Sequence, residues 1–209
     1  MELLIVGVSS KSSIGYQVGE LLRKYGHTPV YVSRSGKLGL ACDIASPRKL
    51  RRLLAKVKPD GVIHAAGVFS SPRALGIINE WEKVRMHLEA KGFGALALAD
   101  AMVATGRGKI YIALGGRKIS AELGFANYTI GNGALFALVQ FLAGHGALRS
   151  YLVDLPFVEG STMHAAFARA TGDTPKGVPA TQVASSIERI LKGKYKNGSR
   201  VVIGKHGGA

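Results

Sequence analysis

A serine-rich turn follows the first apolar run of the chain. Residues 3–6 are apolar, helical periodicity begins near Ser13, and between them lies the segment Gly7-Val8-Ser9-Ser10-Lys11-Ser12-Ser13-Ile14-Gly15. Backbone N–H groups in such a turn, together with the positive end of the helix dipole, bind a pyrophosphate. The candidate phosphate-binding residues are Gly7, Ser9, Ser10, Lys11, Ser13 and Ile14. The alternative is a capped tight turn without a ligand, since the spacing does not match Gly-x-Gly-x-x-Gly.

A cationic segment ends the second predicted strand. Ser33, Arg34 and Ser35 stand there, with Lys37 just beyond. Domains that bind NAD place an acidic residue at this point, on the 2′-hydroxyl of the ribose. The guanidinium of Arg34 suits a 2′-phosphate instead, so we predict that Ser33, Arg34 and Ser35 bind NADP(H) in preference to NAD(H). The alternative is an arginine that faces solvent from a loop.

Strand-length apolar runs alternate with stretches of helical periodicity along the whole chain. This alternation predicts an α/β fold with a parallel sheet covered by helices on both faces. The predicted strands lie near 2–7, 29–33, 38–42, 61–65, 109–114, 149–154 and 200–203. The predicted helices lie near 13–25, 47–57, 78–105, 125–146, 161–170 and 180–192. No repeat or linker divides these elements, so we predict a single domain over residues 1–209.

The connection between the second and third predicted strands is unusually short. Only residues 34–37 are available between Ser33 and Leu38, whereas a parallel crossover normally needs a dozen or more residues. Either the third strand is not parallel to its neighbour, or it is a short edge strand reached by a loop. We favour the edge strand, with the usual crossover helix deleted.

Composition limits the class of protein. The 209 residues are 47% hydrophobic, enough for one substantial core, and the formal net charge is +15. Lys and Arg are spread along the chain, which indicates a solvated surface or attraction of phosphorylated ligands and acidic partners. No zinc-finger, basic-zipper or RNA-binding motif accompanies the charge, so binding to nucleic acid is not expected.

Cysteine usage and apolar runs indicate a cytoplasmic protein that is not held in a membrane. Cys42 is the single cysteine, so neither an internal disulfide nor a zinc site with the scattered histidines is expected. The chain begins directly with a strand-like run and shows no secretory leader. No charge-free apolar run is long enough to cross a bilayer.

Taken together, these motifs resemble the short-chain dehydrogenase/reductase superfamily, and the resemblance runs through the whole chain. The turn is similar to the variant found in enoyl-acyl-carrier-protein reductases, Gly-Val-x-Ser-x-x-Ser-Ile. The family would place Asp43 and Ile44 near the adenine, Ala65, Ala66 and Gly67 beside the ribose, and Pro156, Val158 and Thr162 around the nicotinamide; Gly204, Gly207 and Gly208 resemble its closing glycines. The resemblance implies a Rossmann-type, doubly wound, three-layer fold with about seven parallel strands.

The catalytic positions of the family are only partly matched. Tyr128 occupies the position of the tyrosine that acts as acid and base, but the residue four positions on is Asn132 and not the family's lysine. The serine position falls on Gly115, and the position of a further asparagine falls near 87–89, where there is none. A nearby cation favours a phenolate, so the loss of the lysine should make Tyr128 a poorer acid near neutral pH.

Other residues can be considered as replacements. Ser120, His87 or Lys91 would serve if the fold brought them inward; otherwise all three face solvent or a partner subunit. Asn132 can still bind a ribose hydroxyl. Tyr128 itself has the alternative of being a packed aromatic with a satisfied hydroxyl.

The helix that contains Tyr128 continues through an apolar stretch over 134–143. A helix that is apolar nearly all round is buried on several sides. By resemblance, the helices at 78–105 and 125–146 would pair with a second subunit, which implies a homodimer or homotetramer.

Two functions follow from these residues. The first is an NADP(H)-dependent oxidoreductase that acts on a small carbonyl or alcohol, with Tyr128 as the surviving acid and base. The alternative is a catalytically impaired protein that binds the dinucleotide and senses redox state or regulates a partner. A basic module that binds nucleic acid would rest on charge alone.

Overall fold

A seven-stranded parallel sheet organises the protein. The structure, a computed structural model, describes residues 1–67, 81–116 and 126–204. The sheet order is β3-β2-β1-β4-β5-β6-β9, and every pair of neighbours is parallel. Its strands are β1 (Glu2–Val6), β2 (Thr28–Ser33), β3 (Leu40–Ala41), β4 (Gly61–His64), β5 (Ile110–Gly115), β6 (Arg149–Asp154) and β9 (Arg200–Val202). This is the predicted α/β, Rossmann-type arrangement.

Helices cover the two faces of the sheet. They are α1 (Ile14–Lys24), α2 (Pro47–Val57), α3 (Trp81–Leu88), α4 (Gly94–Thr105), α5 (Ala126–His145), α6 (Thr162–Thr171) and α7 (Ala180–Leu191). Successive strand residues point to opposite faces, so Leu3 and Ile5 pack with α1 and α7, whereas Leu4 and Val6 pack with α2, α4 and α5. The two resulting cores confirm the predicted three layers.

The short third strand is confirmed as a parallel edge strand. β3 has only two residues, and its register pairs Val32 with Leu40 and Ser33 with Ala41. Residues 34–39 form the whole connection from β2. No crossover helix is needed, because β3 pairs only with the last two residues of β2 and the chain has to turn back by only a short distance. The Gly39 backbone runs against Tyr31, where an added Cβ would lie 2.3 Å from the Tyr31 carbonyl oxygen.

The predicted helix at 78–105 contains an interruption that the sequence pattern did not indicate. A π-helical turn at Glu89–Phe93 separates α3 from α4. Such single π-turns are frequent at functional sites because they re-aim the side chains that they carry. The buried residue of this turn is Lys91.

A second, two-stranded sheet lies outside the predicted elements. It pairs β7 (Phe157–Val158) with β8 (Gly177–Val178) in parallel. This small sheet ties the segment after β6 to the connection between α6 and α7. None of the helices in the described ranges is long and apolar enough to cross a membrane.

The prediction that α5 is buried on several sides is only partly right. Leu135, Val139 and Leu142 are buried in the core, but the Phe141 side chain is 63% exposed and Ile130 is 42% exposed. On α4 and the π-helical turn, Leu96 and Phe93 are exposed as well. Both helices therefore leave apolar side chains open to solvent in the single chain.

Candidate active site

The predicted site residues collect at the carboxyl ends of the parallel strands. The serine-rich turn follows β1, Ala65, Ala66 and Gly67 follow β4, Gly115 ends β5, and Pro156 follows β6. Because the strands are parallel, these segments share one edge of the sheet, where open α/β sheets bind their ligands. The sheet thus brings together residues that are far apart in sequence.

Close backbone packing explains the glycine that begins the turn. Gly7 has a φ of +95°, and an added Cβ would lie 2.4 Å from the backbone N and Cα of Ala66. The N–H groups of Gly7 and Val8 both donate to the Val32 carbonyl, at 2.9 and 3.1 Å. Gly7 therefore shapes the turn against β4, and the N–H groups that remain for a ligand come later in the turn.

The start of α1 carries no side-chain cap. Ser13 stands at the N-cap position, but its hydroxyl donates to the Ser10 carbonyl at 2.7 Å and does not accept from the helix. The first two N–H groups of α1, beginning at Ile14, can donate to an anion, whereas the third already donates to the Ser13 carbonyl; Ser9 and Lys11 are exposed nearby. Uncapped N–H groups of this kind fit the predicted pyrophosphate.

The turn is joined directly to the start of α6. The Thr162 N–H donates to the Ser12 carbonyl at 2.9 Å, and its hydroxyl lies 3.1 Å from the Ser12 hydroxyl and 3.4 Å from the Ser10 hydroxyl. Gln17 adds a bond from its side-chain amide to the Gly160 carbonyl at 3.1 Å. The two helix N-termini therefore converge, and Thr162 contacts the predicted phosphate turn.

The predicted adenine end has a polar and open edge. The Ser33 hydroxyl accepts from the Gly36 N–H at 3.1 Å and bends the loop after β2, which leaves Arg34 and Ser35 exposed. Asp43 accepts from the Ala45 N–H at 3.1 Å. Ile44 packs toward α4, where its Cδ1 would lie 2.9 Å from a Cβ added at Gly94.

Two of the predicted cofactor residues, Val158 and Pro156, lie against other parts of the chain. Val158 is buried and pairs with Val178 in the small sheet, so its side chain belongs to the core. Pro156 lies near the chain's closing segment, with its Cγ 3.7 Å from a Cβ added at Gly204. Ser120, Gly207 and Gly208 lie outside the described residues.

Tyr128 and Asn132 share the inner side of α5, and both are buried. The ring of Tyr128 packs on that of His87, with centroids 4.2 Å apart. Its hydroxyl lies 3.5 Å from the sulfur of Met163 on α6. The phenol thus faces the start of α6, across the edge of the sheet.

A cation lies beside Tyr128 although Asn132 carries none. Lys91 is only 6% exposed, its ammonium donates to Asn132 Oδ1, and its Nζ is 5.9 Å from the centroid of the Tyr128 ring. The expectation that Tyr128 lacks a nearby cation is therefore wrong. His87 and Lys91 both point inward, so the alternative that they face solvent or a partner is wrong too.

Burial shapes the titration of this cluster. It lowers the pKa of Lys91 to about 8, so the side chain is still charged at neutral pH. Burial and then the Lys91 charge lower the pKa of His87 to about 4. The same two causes lower the pKa of His64 to about 3, against an opposing contact with the Ala90 backbone. Lys91 is thus charged while both histidines are neutral.

A buried hydrogen bond links His64 to the sheet. Nδ1 of His64 lies 2.8 Å from the Tyr111 hydroxyl, on the neighbouring strand β5. Burial raises the pKa of Tyr111, so its hydroxyl stays protonated. This hydrogen bond joins the two buried side chains, and His64 also lies against the Ala90 backbone of the π-helical turn.

Small residues make room for the cluster. A Cβ added at Gly131 would lie 3.2 Å from His87 Cβ and 3.4 Å from Lys91 Cδ, and one added at Gly67 would lie 3.3 Å from Lys91 Cε. A Cβ at Gly115 would lie 3.1 Å from Asn132 Oδ1. Gly131 and Met163 were not predicted as site residues from the sequence; the spacing of His87 and Lys91, one helical turn apart, was the available signal for the cation.

Comparisons with known proteins agree with the fold. No protein-family model matches the chain, and no curated protein sequence matches it. The solved structure of the protein lin1944 from Listeria innocua is similar, with a TM-score of 0.76 and 20% identity over 98% of this chain and 100% of that one. The 3-alpha-hydroxysteroid dehydrogenase from Pseudomonas sp. B-0831, solved in complex with NADH, has a TM-score of 0.73 and 20% identity over 97% of this chain and 95% of that one. The chain therefore shares the fold of these two proteins.

Proposed function

We propose that this protein is an NADP(H)-dependent oxidoreductase of the short-chain type that interconverts a small carbonyl compound and its alcohol. One observation carries the proposal. The uncapped serine-rich turn, Gly67 and the Tyr128 phenol stand at the same edge of a parallel sheet whose fold resembles that of a dehydrogenase solved with NADH. In the proposal, the turn would bind the phosphates and Tyr128 would supply the proton at this shared edge.

The turn supports the dinucleotide. A pyrophosphate at the start of α1 would accept from the free N–H groups of the helix and interact with the helix dipole. The hydroxyls of Ser10, Ser12 and Thr162 lie within hydrogen-bonding distance of one another, so they can turn toward phosphate oxygens with little movement. Ala66 would lie under the ribose, because Gly7 lets the turn approach its backbone closely.

Arg34 supports the phosphorylated form of the cofactor. It is exposed at the end of β2, where a guanidinium can form two hydrogen bonds with a 2′-phosphate. No acidic side chain stands at this point to bind a 2′-hydroxyl; the adjoining residues are Ser33 and Ser35. The preference for NADP(H) is accordingly part of the proposal.

The chain's own chemistry centres on Tyr128. The bound cofactor would supply or accept the hydride. Tyr128 would donate its phenolic proton to the carbonyl oxygen during reduction and take it back during oxidation. The thioether of Met163 near the hydroxyl gives the pocket an apolar wall, which favours substrates with an apolar group beside the carbonyl.

A second function has support from one observation. Gly115 offers no hydroxyl at the end of β5, and Asn132 Oδ1 fills the space next to it. A site without that hydroxyl would polarise a carbonyl less well. A protein that binds the dinucleotide and regulates a partner, with little catalysis, is therefore the competing candidate.

The test is a turnover screen with NADPH and NADH against aldehydes and ketones. We expect turnover with NADPH, and we expect Tyr128→Phe to lower kcat about a hundredfold while the dissociation constant for NADPH is unchanged. The matched control is Tyr25→Phe, which changes an exposed tyrosine. Tight NADPH binding without turnover on any carbonyl favours the regulatory candidate, and absence of dinucleotide binding overturns both.

We also propose that the protein forms a homodimer or homotetramer in the cytoplasm. The exposed apolar side chains of Phe93, Leu96 and Phe141 lie on the predicted interface helices, and a second copy of the same face would cover them. Light scattering should show an oligomer that Phe141→Glu disrupts and Tyr25→Glu does not. A monomer in the unchanged protein at micromolar concentration contradicts this proposal.

A further inference from the structure

The most unusual side chain in the described part of the chain is a buried ammonium without a carboxylate. Lys91 is 6% exposed, and no Asp or Glu of the described residues forms an ion pair with it. Its ammonium donates to the oxygen of the neutral Asn132 side chain. Burying a lysine in this way is costly, so such residues usually serve a site and not the fold.

The local structure directs the Lys91 ammonium toward the candidate site. The π-helical turn at Glu89–Phe93 carries Lys91 at its centre and faces the first turns of α5. Gly131 allows the stem of the side chain to pass α5, and Gly67 allows its end to reach the carboxyl end of β4, where an added Cβ would lie 3.9 Å from Nζ. Lys91 therefore enters the edge where the cofactor ribose is proposed to lie.

The positive charge acts on the groups around it. The titratable side chains that face Lys91 in the described ranges are His64 from β4, His87 from α3 and Tyr128 from α5. The charge helps to keep both histidines neutral. With both histidines neutral, Lys91 is, within the described ranges, the cation that lies against the Tyr128 ring.

We propose that Lys91 supplies, from the helix that precedes β5, the cation that position 132 of α5 lacks, and that it stabilises the Tyr128 phenolate while Asn132 holds the ammonium in place. The inference rests on the proposed function. It assigns Lys91 as a positioning residue for Tyr128 and as a hydrogen-bond donor toward the ribose at Gly67. Compared with the family pattern given above, the lysine stands on the helix that carries the asparagine in that pattern, and the asparagine stands at the position of the lysine.

The proton balance follows from this arrangement. In reduction the carbonyl carbon gains a hydride and its oxygen gains the Tyr128 proton, which leaves a phenolate. The Lys91 ammonium, attracted by this negative charge, keeps its own proton through the step. The phenolate then regains a proton from water, so one hydride and one proton are consumed for each alcohol formed.

The first test needs neither cofactor nor turnover. The titration of Tyr128 is followed by NMR of tyrosine ring carbons, assigned by comparison with Tyr128→Phe. In Lys91→Met the Tyr128 midpoint should rise by on the order of one pH unit, because the cation whose Nζ lies 5.9 Å from the ring centroid is lost. Lys56→Met, which removes an exposed lysine, should leave the midpoint unchanged. An unchanged midpoint in Lys91→Met overturns the proposal.

A double exchange protects the test against a misfolded single variant. Lys91→Asn combined with Asn132→Lys returns the cation to α5 within the same cluster, and it should bring the Tyr128 midpoint back to within a few tenths of the wild-type value. Lys91→Gln should reproduce the shift of Lys91→Met. A double variant that titrates like Lys91→Met contradicts the exchange of roles.

A binding measurement separates this inference from the proposed function. By calorimetry, Lys91→Met should bind NADPH about tenfold more weakly than the wild type, since a charge-assisted hydrogen bond to the ribose is lost. A wild-type protein that binds no dinucleotide overturns the proposed function, but the Tyr128 midpoint still decides whether Lys91 acts on the phenol. Equal NADPH affinity in the two proteins overturns the ribose contact.

Discussion

The two ends of the candidate site are built in different ways. At the predicted phosphate end, one contiguous segment from Gly7 to Ile14 offers backbone groups, and Gly7 lies so close to the Ala66 backbone that there is no room for a Cβ. At the Tyr128 end, side chains from α3, the π-helical turn and α5 meet in a buried polar cluster. Sterics therefore restrict position 7 at the first end, whereas at the second end a cation from the π-helical turn lies beside the amide at position 132.

The difference shows which physical constraint limits each kind of site. Backbone sites are constrained by sterics, so their requirements are absolute and local. Side-chain clusters are constrained by burial and charge, so several arrangements meet the same need. In the cluster of His64, His87 and Lys91, burial disfavours the protonated form of each side chain and so lowers its pKa.

The largest effect should come from the phosphate end. Gly7→Ala combines a φ of +95° with a backbone collision at Ala66, and we expect a loss of about 4 kcal/mol in the free energy of unfolding. Gly26→Ala is the matched control, because φ is +86° there but nothing lies within 4 Å of the added Cβ, so about 1–2 kcal/mol should be lost. Urea denaturation measures both, and equal losses would show that the collision is relieved.

An intermediate effect should appear at the other end as acid sensitivity. His87 has an ordinary pKa of 6.5 and a folded-state pKa of about 4. Between these values the unfolded chain binds more protons, so the stability that is fully present above pH 6.5 is lost as the pH falls toward 4. The loss from His87 alone should be on the order of 3 kcal/mol.

The acid prediction is checked by the pH dependence of denaturation midpoints. His87→Gln should flatten the fall in stability between pH 6.5 and 4, and His64 should account for part of the slope that remains. His145→Gln, at an exposed position near the end of α5, should leave the slope unchanged. A slope that is the same in all three proteins would contradict the assignment.

The smallest effect concerns the open edge near β2. Arg34→Ala should weaken NADPH binding about tenfold and leave NADH binding unchanged, because it removes a charge-assisted contact to a 2′-phosphate. Arg52→Ala, on the exposed side of α2, is the control for the loss of one positive charge. Calorimetry with both dinucleotides measures the effect, and parallel changes in NADPH and NADH affinity would place Arg34 outside the site.

Most of the large sheet and its covering helices could be predicted from patterns within contiguous segments of the sequence. The alternation of apolar runs and helical periodicity located all strands of the large sheet, and the short connection after Ser33 indicated the two-residue edge strand. The small sheet of β7 and β8 and the π-helical turn were missed, because long-range contacts and helix packing select them. Neither feature leaves a periodic signal of its own.

What the sequence by itself determined was the layered frame and the turn at the end of β1, since apolar periodicity and a single obligatory glycine are local properties of the chain. It also placed Tyr128 and Asn132 on one face of a helix. Only the tertiary structure decided that Tyr128 has a cation beside it. Lys91 is forty-one positions from Asn132, and whether its stem turns inward depends on a π-helical turn and on the close packing that Gly131 permits.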